Sequence, residues 1–175
     1  MILHDRIFEC IRHSAGQVFS TMLGVEINSS EGYVETAPPH ANDGVVSFIG
    51  MAGAWTGTGS IACSATMACR LCGQLLMMEP AAAVDEEVLD AIAELTNMII
   101  GNVKTEMEAE LGPLGLSIPT VVFGKNFKAR TAGSGEWSVV AFDWMGEQLV
   151  VRACFTKAEQ PHAIPHYGHT YAVDV

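Results

Sequence analysis

The sequence feature that most restricts the fold is a run of apolar residues at helical spacing, which begins at Val88 and ends at Met107. Residues at this spacing share one side of an α-helix because each residue is turned by about 100° from the last. The apolar arc is broad, so it must be buried against a sheet or another helix. The run predicts one long amphipathic helix that ends near Glu110, before Gly112 and Pro113. The arc consists of Val88, Ile92, Leu95, Ile99, Ile100, Val103 and Met107.

The rest of the chain predicts two further helices and six strands. An amphipathic helix precedes Gly24, and a shorter helix covers residues 66–78. Three β-rich runs follow the first helix and three follow the long helix, each bounded by residues that favour turns. The last two runs meet at Met145 and Gly146 and are expected to form a hairpin. This order predicts an α+β fold with three main helices and a largely antiparallel six-stranded sheet.

Length and charge restrict the organisation and the partners. With 175 residues, 49% of them apolar, the chain has enough material for one core, and we expect one domain over residues 1–156 with a tail over 157–175. Twenty acidic residues against nine basic ones give a net charge of −11, which repels nucleic acid and anionic lipid. No apolar run reaches the roughly 18 residues of a membrane span, and the amino end carries charges where a signal peptide is apolar. The sequence therefore predicts a cytoplasmic protein with neither nucleic acid nor membrane as partner.

The five cysteines raise the question of a metal or redox site. Their odd number and irregular spacing indicate reduced thiols. Cys69 and Cys72 form a CxxC motif in a helical segment, with Cys63 upstream, but zinc usually takes four ligands and a second pair is absent. Small buried helix residues are the favoured interpretation, and a metal or redox pair is the alternative.

A second candidate for metal binding is the carboxyl end of the chain. His162, His166 and His169 lie near two prolines, in a segment with no regular element to present them together. The favoured interpretation is a tail that lies along the surface, and metal binding is the alternative.

The polar face of the long helix is unusual in composition. It forms a stripe about 80° wide, opposite the apolar arc, and is expected to face outward. Asn97 and Gly101 are weak helix formers at the centre of this stripe, where Ala, Lys or Glu would stabilise the helix better. A solvated face is the ordinary interpretation; the alternative is a face that enters the site of another molecule, with Gly101 allowing close approach. The stripe contains Asp90, Glu94, Asn97, Gly101, Lys104 and Glu108.

The chemistry of Glu94 and Asn97 limits what such a face could do. An amide has a donor and an acceptor but no useful proton equilibrium, so Asn97 can orient a water and cannot act as a general base. That is sufficient in phosphoryl transfer with a good leaving group, where positioning and charge neutralisation supply most of the rate. Glu94 is better suited to pair with a cation on a partner.

Two stretches carry a resemblance to a known family. "ELTNMIIGNVKTEME", which starts at Glu94, and the later "LSIPTVVFG" resemble the CheX branch of the CheC/CheX/FliY phosphatases of bacterial chemotaxis. Asp90, Glu94, Asn97 and Pro119 fill the four places of that family's signature. The resemblance extends more loosely over residues 1 to about 156, so it implies a CheC-like or CheX-like fold.

The first helix decides between the branches of this family. By the same resemblance, CheC-type members are expected to carry two such motifs, on two pseudo-symmetric helices. Here the first helix has Glu9 but only Ala15 and Gly16 near the place of the second Asn. The resemblance therefore implies a single-site, CheX-like protein.

The resemblance implies dephosphorylation of a phospho-aspartate on a CheY-like response regulator. Asn97 would position the attacking water, and Glu94 would pair with the regulator's active-site lysine. Asp90 and Pro119 would shape the site, and Gly101 would give clearance to the regulator. Mg²⁺ would be held by the regulator, with no metal or other cofactor on this chain, and a homodimer joined through the sheets is implied.

Two alternatives remain open at this stage. The same exposed stripe would also serve a non-catalytic module that docks on a response regulator or on a flagellar-switch-like partner. A catalytically silent core whose cysteines or tail histidines bind metal is the third hypothesis.

Overall fold

A computed structural model describes residues 3–36, 40–128 and 135–158 of the chain. It contains three α-helices: α1 (Leu3–Val18), α2 (Ala65–Leu76) and α3 (Glu86–Leu111). A π-helical turn, Phe19–Leu23, extends α1 to Gly24, where the predicted end is confirmed by a left-handed φ of 66°. The eight strands are β1 (Asn28–Ser29), β2 (Tyr33–Glu35), β3 (His40–Gly53), β4 (Trp55–Cys63), β5 (Leu114–Leu116), β6 (Thr120–Lys128), β7 (Trp137–Trp144) and β8 (Glu147–Lys157).

The strands form one sheet, and every pair in the described part of the chain is antiparallel. Its four central strands lie in the order β7, β8, β4, β3. The outer edge of β7 pairs with β1 and then β2, and the outer edge of β3 pairs with β5 and then β6. The predicted α+β class, the antiparallel sheet and the hairpin at Met145 and Gly146 are confirmed.

The predicted number of six strands is wrong, because eight strands fill six positions across the sheet. Each outer position is made of two short strands in succession. The breaks have local causes: the segment between β1 and β2 contains Gly32, and the segment between β5 and β6 contains Pro119, which has no N–H for a sheet hydrogen bond.

Helix α3 packs on the sheet through its predicted apolar arc. All seven residues of the arc are buried, which confirms that prediction. The helix begins where the Asp85 carboxylate accepts a hydrogen bond of 3.0 Å from the backbone N–H of Val88. On the side of the sheet, Gly59 of β4 faces Ile100 of α3, and a Cβ at Gly59 would lie only 2.7 Å from Ile100 Cγ1. Helix α3 therefore rests directly on β4, at a place where only glycine fits.

Strand β8 is the last element of the described structure. This strand reaches Lys157, and the N–H of Ala158 donates to the carbonyl of Ala54 at 3.1 Å. The predicted tail from 159 onward, with His162, His166 and His169, lies outside the described residues, so the boundary at 156 stays a prediction. In the described ranges, no helix is both long and apolar enough to cross a membrane.

Candidate functional site

The amino-terminal half of the polar stripe lies open on α3. Asp90, Glu94 and Asn97 are all exposed, on the side of the helix opposite its buried arc. Among the described residues, the side-chain hydrogen bonds and ion pairs of α3 involve other residues and leave these three without a partner. The helix is anchored along its whole length by buried residues, so its backbone holds two carboxylates and an amide in place, with their polar atoms free to bind.

The carboxyl-terminal half of the stripe is used by the fold itself. The Glu108 carboxylate accepts a hydrogen bond of 2.8 Å from the backbone N–H of Leu114 and pairs with the Lys104 ammonium at 2.8 Å. The pKa of Glu108 is lowered mainly by the hydrogen bond from Leu114 and, to a smaller extent, by the contact with Lys104. Lys104 and Glu108 are half-buried, so the prediction that the whole stripe faces outward is wrong for this half. The cause is the return of the chain after Gly112, which lays β5 beside the helix.

Gly101 lies where the two halves meet. It is half-buried, and a Cβ at this position would meet only Leu116 Cδ1, at an ordinary contact distance of 3.6 Å. Its φ is not in the left-handed region. Neither the helix nor the packing of the described residues therefore requires a glycine here, although glycine weakens a helix interior by about 1 kcal/mol relative to alanine.

Gly101→Ala is therefore expected to raise the free energy of unfolding by about 0.5 to 1 kcal/mol, as measured by urea denaturation. Gly16→Ala is the matched control, because Gly16 lies in α1 and a Cβ there would meet no atom within 4 Å. Both variants should be stabilised, and only Gly101→Ala should bind a docking partner more weakly. A destabilised Gly101→Ala would mean that the fold itself needs this glycine.

Pro119 lies at the edge of the sheet beside α3, in the segment that joins β5 to β6. The backbone N–H of Ser117 donates to the carbonyl of Gly50, and the N–H of Gly50 donates to the Ser117 hydroxyl, both at 2.9 Å. Pro119 is half-buried, whereas Ile118 before it is 87% exposed. The sequence predicted a plain strand here and missed the exposure of Ile118. The Pro in an edge strand was the available signal, since proline in sheets is confined to edges and bulges.

The first helix carries no second site of this type. The Glu9 carboxylate pairs with Arg6 at 3.6 Å, and Ala15 is buried in the core. Gly16 offers no side chain. In the described structure the carboxamide of α1, Gln17, lies eight residues after Glu9 rather than three, and the single-site expectation stays a prediction.

The cysteines of the CxxC motif are part of the core. Cys63, Cys69 and Cys72 are buried, and burial raises the pKa of all three thiols, that of Cys63 to about 12. They are protonated at neutral pH and pack as small apolar residues, which is the interpretation that the sequence favoured. Among the side chains that the structure describes, no three metal-binding residues come together.

The family comparison matches most of the sheet and both later helices. The model of the family described as "Chemotaxis phosphatase CheX" matches residues 45–143. This match contains Asp90, Glu94, Asn97, Gly101 and Pro119, and it confirms the resemblance found in the sequence.

Solved structures support the same relationship. A CheC-like superfamily protein from Shewanella sp. PV-4 is 25% identical, with a TM-score of 0.76 over 89% of this chain and 99% of that one. Chemotaxis protein CheX from Vibrio vulnificus is 25% identical, with a TM-score of 0.73 over 86% and 99%. CheX from Borrelia burgdorferi, in a complex with CheY, BeF₃ and Mg²⁺, is 25% identical, with a TM-score of 0.71 over 85% and 97%. No curated protein sequence is significantly similar to this chain.

Proposed function

The chain belongs to the family of the chemotaxis phosphatase CheX, and from this premise we propose that it accelerates hydrolysis of the phospho-aspartate on a CheY-like response regulator. The observation that carries the proposal is the pair Glu94 and Asn97, exposed on the anchored helix α3 and without partners among the described residues. The solved complex of a relative with CheY, BeF₃ and Mg²⁺ supports the choice of partner.

Asn97 supplies the position of the attacking water. Its amide oxygen accepts a hydrogen bond from the water, or its N–H donates one, and the water is thereby held in line with phosphorus. No base is needed in this step, because the acyl phosphate has a good leaving group and its transition state is loose. A short amide on a rigid helix suits this role because little freedom remains to be lost on docking.

Glu94 supplies the contact that fixes the regulator over the helix. Its exposed carboxylate pairs with the regulator's active-site lysine, and Asp90 one turn earlier adds negative charge on the same side. Mg²⁺ belongs to the regulator in this proposal, where it neutralises the phosphoryl oxygens. Pro119 shapes the edge of the site, and Gly101 leaves room for the partner's backbone.

We also propose the homodimer and the cytoplasmic location that the sequence predicted. The support for a dimer joined through the sheets is the edge strand β2, where Tyr33 and Val34 are apolar and exposed. An exposed strand edge with apolar side chains is suited to pair with another chain. A molar mass of one chain in light scattering at all concentrations would contradict the dimer.

The test of the phosphatase proposal is the lifetime of the acyl phosphate. Candidate regulators are phosphorylated with acetyl phosphate, freed of the donor and followed with Mg²⁺ in the presence and absence of the chain. We expect the acyl phosphate of at least one regulator to decay about tenfold faster or more. One molecule of the chain should dephosphorylate many regulator molecules in turn. If every regulator keeps its lifetime, the phosphatase proposal is wrong. Complex formation without acceleration would support the docking module instead.

A further inference from the structure

The segment between β5 and β6 is a β-bulge. On β3, two residues lie between Phe48, which pairs with Thr120, and Met51, which pairs with Leu116. Three residues lie between the partners Leu116 and Thr120. One residue is therefore extra, and bulges of this kind bend the strand and redirect a side chain. The redirected side chain is Ile118, whose 87% exposure is unusual for a large apolar residue between two strands.

The bulge is held in place by hydrogen bonds and by proline. Ser117 exchanges two hydrogen bonds of 2.9 Å with the backbone of Gly50, and its hydroxyl also donates to the carbonyl of Ile118 at 3.0 Å. Pro119 restricts the backbone on the other side of Ile118. Ile118 is thus presented to solvent by a fixed backbone, which lowers the entropy that a partner must overcome on binding it.

The bulge adjoins the face of α3 that carries Asn97 and Gly101. Leu116, the last residue of β5, lies 3.6 Å from the position of a Cβ on Gly101. Gly101 is about one helical turn, roughly 6 Å along the axis, from Asn97. A protein that covers Asn97 and passes over Gly101 therefore reaches Leu116 and the bulge.

We propose that Ile118 is the apolar anchor for the regulator that docks on Asn97, and that Ser117 positions it. The inference rests on the proposed function. The occupant is the apolar surface that borders the phosphorylated aspartate of a CheY-like regulator. The charge pattern supports this occupant, since the exposed carboxylates of Asp90 and Glu94 attract the active-site lysine and the Mg²⁺ of the proposed regulator.

The test measures binding and catalysis separately with Ile118→Ser in the full chain. We expect the Kd for a regulator loaded with BeF₃ and Mg²⁺, and the KM for the phosphorylated regulator, to rise about tenfold or more, because burial of one large apolar side chain is lost. The kcat should stay within about twofold and the thermal midpoint should not fall, since Ile118 is exposed. Ile118→Val, which keeps an apolar anchor, should bind almost as the natural chain does.

Two further variants control for structural effects. Met77→Ser removes a 94% exposed apolar side chain at the end of α2 and should leave Kd, KM and kcat unchanged. Ser117→Ala removes the hydroxyl that fixes the bulge, and should raise KM with little change in kcat. This split is the readout expected of a positioning residue.

The inference is overturned if Ile118→Ser binds the regulator as the natural chain does, or if Met77→Ser weakens binding equally. It is also overturned if Ile118→Ser changes the molar mass of the chain, because a second copy would then be the occupant. The binding measurement does not need catalysis. A chain that leaves acyl-phosphate lifetimes unchanged but loses regulator binding in Ile118→Ser would refute the phosphatase proposal and retain the anchor.

Discussion

Asn97→Ala is expected to lower kcat for the regulator's acyl phosphate by about 100-fold or more, which corresponds to about 2.7 kcal/mol of lost transition-state stabilisation. The physical reason is that the water loses the amide that holds it in line with phosphorus, while the phosphoryl group and Mg²⁺ remain in place on the regulator. An oriented nucleophile can be worth several orders of magnitude in rate.

The measurement separates chemistry from docking and from folding. Single-turnover decay at saturating chain gives the rate of the chemical step, and titration of the BeF₃-loaded regulator gives Kd. We expect Kd to change less than the rate, and the urea midpoint to stay the same or rise, because Asn97 is exposed and Ala is the better helix former.

Asn102→Ala is the matched control for this variant. Asn102 lies on the same helix, is half-buried, and is turned by about 80° to 140° from the exposed residues of the stripe. It should retain the full rate. If Asn97→Ala also retains the full rate, water positioning by this residue is wrong, even where the natural chain is a phosphatase.

The exposed pair on α3 could be predicted because it depends on a local pattern. A helix with one broad apolar arc has only one way to bury that arc, so the exposure of Glu94 and Asn97 follows from their angle to it. The partial burial of Lys104 and Glu108 on the same stripe could not be predicted in this way. It depends on β5, which the chain reaches only after it turns at Gly112, and on the hydrogen bond from Leu114 to Glu108.

The outer strands illustrate a second limit of the sequence. The alternation of apolar and polar residues predicts a strand but contains no information on register, so an extra residue in one strand goes unnoticed. The bulge at Ile118 is fixed by Ser117 and Gly50, which are 67 residues apart in the chain. Pro119 was the local sign that this strand is interrupted. A similar interruption divides the strand at the other edge into β1 and β2, and the two together raise the count from six strands to eight.

The contact between β4 and α3 leads to the second large effect. Gly59→Ala is expected to lower the free energy of unfolding by about 3 kcal/mol, because the added methyl would lie within 3 Å of three atoms of the fully buried Ile100, Cγ1, Cγ2 and Cδ1. The backbone of Gly59 is not in the left-handed region, so alanine brings no backbone strain. Urea denaturation checks the loss. Gly115→Ala, with ordinary contact at 3.6 Å to Ala52, is the strand control and should change stability by less than about 0.5 kcal/mol.

A double-mutant cycle identifies the collision as the cause. Ile100→Ala alone should cost about 2 to 5 kcal/mol through the cavity it leaves. With Gly59→Ala added, the new methyl enters that cavity. The free energy of unfolding that the double variant loses should therefore be smaller than the sum of the two single losses, by at least about 1 kcal/mol. Additive losses would mean that α3 does not rest on β4 through this pair. Because Asn97 lies three residues before Ile100 on α3, about 60° away around the helix, the space left by Gly59 also fixes where the amide stands toward a regulator.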